Sequence, residues 1–196
     1  FTSDNGGAGY LGLPDINKPF RGWKLTHFEG GMHIPFIMSW PKGIKENSIY
    51  TKNIHHNDIF PTIASVAGVS IPNNLKIDGI NLLPYINGVD LNNPHETLYW
   101  KEGDLQTIIH KNMKLIRSNT PVYRDWLFDL DKDPYEQINI NKEYPKVISQ
   151  LNSLLDIHIS EQVKPLWPSV VSTPIRIDKT EIDKYDEDDE YTYWPN

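Results

Sequence analysis

The spacing of apolar residues predicts a small antiparallel sheet in the second half of the chain. Short runs rich in β-branched and aromatic residues follow one another with brief polar connections, as in consecutive strands. The runs cover residues 97–100, 107–110, 113–117 and 125–130. Lys111 and Asn112 separate the second run from the third, so these two runs are expected to form a hairpin.

Residues 144–160 predict a helix that packs on this sheet. Their apolar positions recur three and four residues apart, which places them on one stripe of a helical surface. The stripe consists of Val147, Leu151, Leu154 and Leu155. Beyond the helix, the chain is rich in Pro and in acidic residues, and we expect an extended surface segment from residue 163 to residue 196.

The first half of the chain predicts long loops and fewer regular elements. Residues 6–35 are rich in Gly and Pro, a composition typical of a functional loop. The apolar run at 34–40 predicts a short buried strand. Either Asn57 or Asp58 is expected to cap a helix that ends at Gly68.

The overall composition indicates a globular chain, and local changes in composition divide it into segments. The chain has 196 residues, of which 38% are hydrophobic and 23% are charged, so a disordered protein is excluded. A Pro- and Asn-rich stretch at 71–95 marks a candidate boundary. We therefore expect three segments, namely 1–92, a sheet-and-helix subdomain at 93–162, and an acidic tail at 163–196.

Charge is concentrated near the C-terminal end. Between Asp178 and Tyr191 there are eight acids and two lysines, which contribute −6 of the formal net charge of −7. Such a run is typical of a solvated tail, with metal binding as the alternative. The sequence shows no basic face for nucleic acid, and no apolar run approaches the roughly 20 residues of a membrane span.

The chain contains no Cys, which excludes thiolate metal sites and a cysteine nucleophile within these residues. Its first residues, Phe1 to Gly7, have the composition of a strand that runs into a loop. Because ligands of α/β proteins gather at the carboxyl ends of strands, we expect an upstream half of the same fold to be missing.

Two loop segments carry candidate chemistry. Asp4 and Asn5 offer a carboxylate and an amide oxygen, the hard ligands that Ca²⁺ and Mg²⁺ prefer. Arg21 and Lys24 are able to bind an anion, Arg as a bidentate fork and Lys as a point charge. Each segment alone is also compatible with an ordinary turn or a charged loop.

Taken together, the segments resemble the C-terminal signature of the formylglycine-dependent (type I, arylsulfatase-like) sulfatases. The shared motifs are Thr-Ser-Asp-Asn-Gly-Gly at 2–7, Arg-Gly-x-Lys-x-Thr-x-x-Glu-Gly-Gly at 21–31, Asp-x-x-Pro-Thr at 58–62, Asp-Gly-x-x-Leu at 78–82, Lys-Leu-Ile at 114–116, and Leu-Phe-Asp-Leu with Asp-Pro-x-Glu at 127–136. They occur in order over roughly residues 1–140. The resemblance implies an α/β protein, the C-terminal portion of an alkaline-phosphatase-like fold.

The resemblance also implies residue roles. Asp4 and Asn5 would be two ligands of one divalent cation, Ca²⁺ or else Mg²⁺. Lys24 would be the catalytic residue that contacts the sulfate and assists the leaving oxygen. Arg21 would contact substrate or brace the loop, and His33 would contact a sugar or pack within the loop. The implied substrate is a sulfated carbohydrate or an aryl sulfate.

The nucleophile of the family, a formylglycine made from Cys or Ser in Cys/Ser-x-Pro/Ala-x-Arg, has no counterpart here, because the Ser39 context has Gly43 where Arg is required. We therefore expect this chain alone to be inactive. The alternatives are a phosphodiesterase or phosphonate hydrolase of the same superfamily, and a non-catalytic glycan-binding remnant. Family members imply a periplasmic, secreted or lysosomal parent protein.

Overall fold

A computed structural model of the chain describes residues 1–167 and 169–195. The chain divides into two compact units, one formed by Phe1–Phe36 with Tyr99–Asn196 and the other by Ile37–Leu98. Its helices are α1 (Glu29–Met32), α2 (Ile59–Val66), α3 (Leu83–Ile86) and α4 (Pro145–Ser160). Within the described residues, no helix combines the length and the apolar character that crossing a bilayer requires.

The predicted antiparallel sheet is confirmed. It has the order β1-β2-β3-β4, and the strands are β1 (Thr97–Glu102), β2 (Leu105–His110), β3 (Met113–Ser118) and β4 (Arg124–Asp129). Lys111 and Asn112 form the β2–β3 turn with φ of +48° and +63°. Two consecutive positive φ values match the twist of flanking strands, which explains why a two-residue loop closes this hairpin.

The sheet is buried on both faces by different partners. Alternate side chains of a strand point to opposite faces, so Ile108 and Leu115 face one way while Leu105 and Ile116 face the other. The first face packs against α4 through Leu151 and Leu155, which confirms the predicted helix. The second face packs against residues from both ends of the chain, Phe28 and Ile177.

The C-terminal segment differs from the expected extended tail. It contains a second antiparallel sheet of β5 (Ser172–Arg176) and β6 (Tyr191–Pro195). Several acids of the stretch pair with cations, since Asp178 and Glu190 contact Arg21, and Asp189 contacts Lys179. Neutralised acids no longer repel one another, so a stretch that reads as a solvated run is able to fold.

The apolar run at 34–40 does not form the expected buried strand. Its one described backbone bridge joins Phe36 to Thr2, and Phe36 and Trp40 are half-buried. A strand requires a partner over several consecutive residues. Among the described residues only Thr2 supplies a bridge to this run, and the expectation of a buried strand is wrong for them.

In the second unit, α2 occupies the predicted position, and Gly68 follows it with φ of +67°. The cap differs from expectation. The His55 side chain accepts the Asn57 N–H at 3.1 Å, while Asp58 accepts the His55 N–H at 2.7 Å. Asp58 is fully buried and also accepts from Ile80 N–H and His95 Nε2, both at 2.9 Å. This carboxylate therefore joins three segments of the unit.

Candidate active site

Glycines bring the loops of the candidate site into backbone contact. Gly6 N–H donates to Gly31 O at 2.9 Å, and a Cβ built on Gly6 would lie 1.7 Å from Gly30 O. A Cβ on Gly30 would in turn lie 2.1 Å from Gly22 O. No other residue fits at these positions without displacing backbone. The Gly-Gly pairs of the sequence motifs therefore lock three segments together.

Asn17 completes this framework. Its side-chain oxygen accepts the Gly7 N–H at 2.7 Å, and its amide donates to Gly7 O at 2.9 Å and to Gly22 O at 3.2 Å. Lys24 N–H also donates to Gly7 O, at 3.1 Å. The segment that carries Asp4 is thus held beside the segment that carries Lys24. Sequence reasoning missed Asn17, because an Asn in a Gly-rich loop has no distinguishing pattern.

Asp4 and Asn5 lie at the start of this framework with their side chains free. Asp4 is exposed and Asn5 is half-buried, and neither side chain hydrogen-bonds to another described residue. Their oxygens fit Ca²⁺ or Mg²⁺ as two ligands of a larger set. Across residues 1–167 and 169–195, no three His, Cys, Asp or Glu side chains come together as a metal site.

Lys24 is half-buried and presents its ammonium without a partner. In the described part of the chain, no carboxylate or carbonyl lies within hydrogen-bond or ion-pair distance of Lys24 Nζ. An unpaired cation next to a rigid backbone is available to bind an anion. The predicted role of Lys24 stays a prediction, and this geometry is compatible with it.

Arg21 is engaged by the C-terminal segment. Its Nε and Nη2 donate to the two Asp178 oxygens at 2.7 and 2.5 Å, and Nη2 also meets Glu190 at 2.5 Å. Its guanidinium lies over the Phe28 ring, 5.0 Å from the centroid. Burial lowers the pKa of Arg21, but Asp178 and Glu190 outweigh it and raise the pKa further above its ordinary value. These contacts brace the loop, and substrate contact by Arg21 stays a prediction.

A buried charge cluster lies directly behind the loop. Lys114 is fully buried, and its Nζ lies 2.7 Å from Glu29 Oε1 and 2.8 Å from Glu136 Oε1. The contact with Glu136 Oε1 is an ion pair whose angles do not meet those of a hydrogen bond. Glu136 Oε2 accepts the Glu29 N–H at 2.5 Å, and Glu136 O accepts from Arg21 Nη1 at 3.4 Å. The cluster therefore fixes both ends of the segment from Arg21 to Glu29.

Ionisation in this cluster is uneven. Burial raises the pKa of Glu29, but Lys114 and the hydrogen bond from His33 outweigh it and lower the pKa to about 2. For Glu136, burial dominates, and its pKa is raised despite the nearby Lys114. Burial lowers the pKa of Lys114, and the two carboxylates outweigh it and raise the pKa. Glu29 and Lys114 thus form a firmly ionised pair.

His33 follows α1 and is exposed at the rim of the loop. Its Nδ1 lies 2.8 Å from Glu29 Oε2, and its ring stacks on Phe20 with centroids 4.4 Å apart. The structure thus brings His33 to the charge cluster, whereas its predicted contact with a sugar stays a prediction. Lys114 and Glu136 were identified in sequence as motif positions only, without a role.

Known proteins that are similar to this chain include several sulfatases. The family described as N-sulphoglucosamine sulphohydrolase, C-terminal, matches residues 22–161, which is more than half of the chain. An uncharacterized sulfatase, YdeN, of Escherichia coli K12 is 40% identical over 100 residues, 51% of this chain and 18% of its own length. The N-acetylgalactosamine-6-O-sulfatase of Bacteroides thetaiotaomicron is 28% identical over 179 residues, 80% of this chain and 35% of its own length.

A solved structure agrees with these relatives. BT4656, in complex with its substrate D-glucosamine-2-N,6-O-disulfate, is 25% identical, with a TM-score of 0.55 over 67% of this chain and 29% of that one. The chain thus spans well under half the length of each of these proteins. The resemblance inferred from the motifs is confirmed, and the fold matches sulfatase structures. The chain belongs to the sulfatases, within the family described as N-sulphoglucosamine sulphohydrolase, C-terminal.

Proposed function

We propose that this chain supplies the anion-binding side of a sulfatase active site, with Lys24 as its catalytic residue. One observation carries the proposal. Lys24 Nζ is unpaired among the described residues, and its backbone is tied through Gly7 to the loop of Asp4 and Asn5. Cleavage of a sulfate ester increases the negative charge on the departing oxygen, and a free cationic side chain, with two free hard-oxygen ligands on the neighbouring segment, is suited to stabilise that charge.

Sulfate-ester hydrolysis explains the role of Lys24. As the bond from sulfur to the ester oxygen breaks, negative charge grows on that departing oxygen. An ammonium group held in place stabilises this charge without having to reorganise, and it is able to pass a proton to the oxygen. Lys24 would therefore act on the leaving group, and the hydrogen bond from its N–H to Gly7 O holds its backbone in place.

Asp4 and Asn5 would hold a divalent cation, Ca²⁺ or else Mg²⁺, together with ligands from residues outside this chain. When bound, such a cation polarises the sulfate oxygens and makes the sulfur easier to attack. The formylglycine nucleophile likewise belongs to our proposal as a group outside these 196 residues. With two ligands and no nucleophile, the chain alone is expected to be inactive.

The names of the relatives support a sulfated sugar as the substrate. One relative is an N-acetylgalactosamine-6-O-sulfatase, and one solved relative holds D-glucosamine-2-N,6-O-disulfate. We propose a sulfated carbohydrate as the natural substrate, with simple aryl sulfates as assay substrates. The family also supports a periplasmic, secreted or lysosomal location, which fractionation of cells that express the full-length gene would test.

The test uses the full-length protein that contains this chain. Lys24→Ala should lower kcat for 4-nitrophenyl sulfate by about 10²-fold or more, because a charge-stabilising group is lost. Lys18→Ala is the matched control, since Lys18 is exposed and forms a solvent-exposed ion pair with Asp15. Equal activity of Lys24→Ala and wild type would overturn the proposal. Faster hydrolysis of bis(4-nitrophenyl) phosphate than of sulfate would instead indicate a phosphodiesterase.

A further inference from the structure

The rim of the loop carries a second feature that the proposed chemistry does not use. Phe20, His33 and Tyr135 form a ring cluster, in which His33 stacks on Phe20 with centroids 4.4 Å apart and Tyr135 packs on Phe20 in a T-shaped arrangement at 5.8 Å. We propose that this cluster, the rim cluster, is a carbohydrate subsite. It would bind one sugar ring of the substrate, with His33 Nε2 hydrogen-bonded to a sugar hydroxyl. This inference rests on the proposed sulfatase function.

The first argument is the surface that the rim cluster exposes. The His33 side chain is 57% exposed, and Tyr135 is 42% exposed. Phe20 is half-buried beneath them, so it supports the stack from below. Rings with an apolar face and a polar edge suit a sugar, whose C–H face is apolar and whose rim carries hydroxyls. A purely apolar partner would leave the His33 nitrogen unpaired.

The second argument is the orientation of His33. Its Nδ1 lies 2.8 Å from Glu29 Oε2, and the low pKa of Glu29 keeps that carboxylate ionised. A carboxylate only accepts, so Nδ1 donates its proton to Glu29 and the second ring nitrogen, Nε2, is left for another partner. Within the described residues, Nε2 has no partner. The ring is thus held with its Nε2 uncommitted.

The third argument is rigidity behind the ring. Glu29 is itself fixed by Lys114 at 2.7 Å and by the bond from its own N–H to Glu136. Lys114 and Glu136 are completely buried, so this support is shielded from water. Glu29 is therefore a positioning residue for His33.

The fourth argument is continuity with the catalytic loop. Tyr135 directly precedes Glu136, which also accepts a hydrogen bond from Arg21. His33 follows α1, and the Gly30 and Gly31 backbone of α1 packs against residues 21–26. The rim cluster and Lys24 therefore belong to one rigid loop assembly. A sugar bound at the rim cluster would therefore contact the same loop assembly that carries Lys24.

The test compares sugar sulfates with an aryl sulfate as substrates of the full-length protein. D-glucosamine-2-N,6-O-disulfate and N-acetylgalactosamine 6-sulfate contain a sugar, and 4-nitrophenyl sulfate does not. His33→Phe keeps a ring on Phe20 but has no ring nitrogen to pair with a sugar hydroxyl. We expect it to lower the ratio of kcat/KM for the sugar ester to that for the aryl ester by about tenfold, through a higher KM for the sugar. Tyr135→Ala should also lower this ratio, and Tyr135→Phe should restore it.

His158→Phe is the matched control, because His158 lies on α4 and stacks on Tyr99, away from the loop. It should leave the ratio unchanged. The subsite is overturned if His33→Phe leaves the ratio unchanged or lowers both kcat/KM values equally, since the latter indicates loop packing alone. It is also overturned if the wild type cleaves only the aryl ester. If the wild type cleaves neither ester, the proposed function itself fails.

Discussion

Lys114 is completely buried between Glu29 and Glu136, so its removal would leave two carboxylates without their cation. Breaking a buried pair by removing one partner is costly, because the remaining charge stays out of water. We expect Lys114→Met to lower the free energy of unfolding of this unit by about 3–5 kcal/mol. Urea unfolding followed by tryptophan fluorescence measures this change.

The control for this prediction is Lys132→Met, which removes an equally short ion pair that is exposed to solvent. Lys132 lies 2.7 Å from Asp129, but its side chain is 81% exposed. Water replaces the lost partner there, so the unfolding midpoint should hardly move. A small effect of Lys114→Met, equal to that of Lys132→Met, would show that the buried cluster contributes little to stability.

Acid should destabilise the same unit through Glu29. Its pKa in the folded chain is about 2 and its ordinary value is 4.5. Because folding lowers this pKa, ionised Glu29 stabilises the folded chain fully at pH values above its unfolded pKa. That stability is lost as pH falls from about 4.5 towards 2. The loss attributable to Glu29 is about 3 kcal/mol. Glu136 has the opposite sign, since its raised pKa favours the folded chain more as pH falls.

Comparison with Glu29→Gln isolates this contribution. The variant cannot titrate at position 29, so its unfolding midpoint should depend less steeply on pH between 4.5 and 2. Urea midpoints at half-unit pH intervals would reveal the difference. Parallel curves for wild type and Glu29→Gln would show that Glu29 does not carry the lowered pKa.

At the residue scale, the motifs identify candidate site residues, but they do not predict which distant residues contact one another. Asp4, Asn5 and Lys24 are named by short motifs, and the structure holds their segments together. Glu29, however, is 85 residues from Lys114 and 107 residues from Glu136. Spacing rules describe neighbours within one helix or strand, so they contain no information about such distant contacts.

At the scale of elements, α1 is held against the loop by glycines whose missing side chains are essential. A Cβ on Gly30 would lie 2.1 Å from Gly22 O and 2.6 Å from Arg21 O, both backbone atoms that cannot rotate aside. We expect Gly30→Ala to lower the free energy of unfolding by about 3 kcal/mol, near the upper end of overpacking costs. Urea unfolding measures it.

Gly68→Ala serves as the comparison, because Gly68 has a φ of +67° but nothing within 4 Å of a built Cβ. It should cost only the backbone strain of a left-handed residue, about 1–2 kcal/mol. If both variants cost the same, close packing at Gly30 has been overestimated. In the full-length protein, Gly30→Ala should also lower kcat, whereas Gly68→Ala should not.

The elements that sequence predicted well are those with local patterns. The β2–β3 hairpin has alternating residues and a two-residue turn, and α4 has a regular apolar stripe. Two predictions were wrong. The run at 34–40 is not a buried strand, and the C-terminal stretch contains a two-stranded sheet where an extended segment was expected. Their conformation depends on Thr2, Arg21 and other distant partners, and a local pattern does not report such partners.

At the scale of the whole molecule, the chain should bind Ca²⁺ only weakly by itself. Asp4 and Asn5 supply two ligands, whereas Ca²⁺ takes six to eight oxygens. Calorimetric titration of the 196-residue chain should therefore give a Kd in the millimolar range or above, and Asp4→Asn should weaken even that binding. The chain should not hydrolyse 4-nitrophenyl sulfate.

Tight binding with a Kd below about 10 µM would contradict this, since it would require a complete site within the chain. Hydrolysis by the chain alone, abolished by Lys24→Ala, would show that no outside nucleophile is needed. The full-length protein, titrated alongside, should bind Ca²⁺ far more tightly. Removal of the metal with a chelator should abolish its activity, and added Ca²⁺ should restore it.

The bracing of Arg21 by Asp178 and Glu190 has a consequence for biosynthesis. These contacts span 157 and 169 residues, so the loop that carries Arg21 and Lys24 leaves the ribosome long before its supports exist. Domains fold as they are synthesised, at about 5–20 residues per second. The loop around Lys24 therefore remains unbraced for many seconds on each nascent chain. A stop codon that deletes only the C-terminal hairpin would leave every motif of the site encoded while removing the support that shapes it.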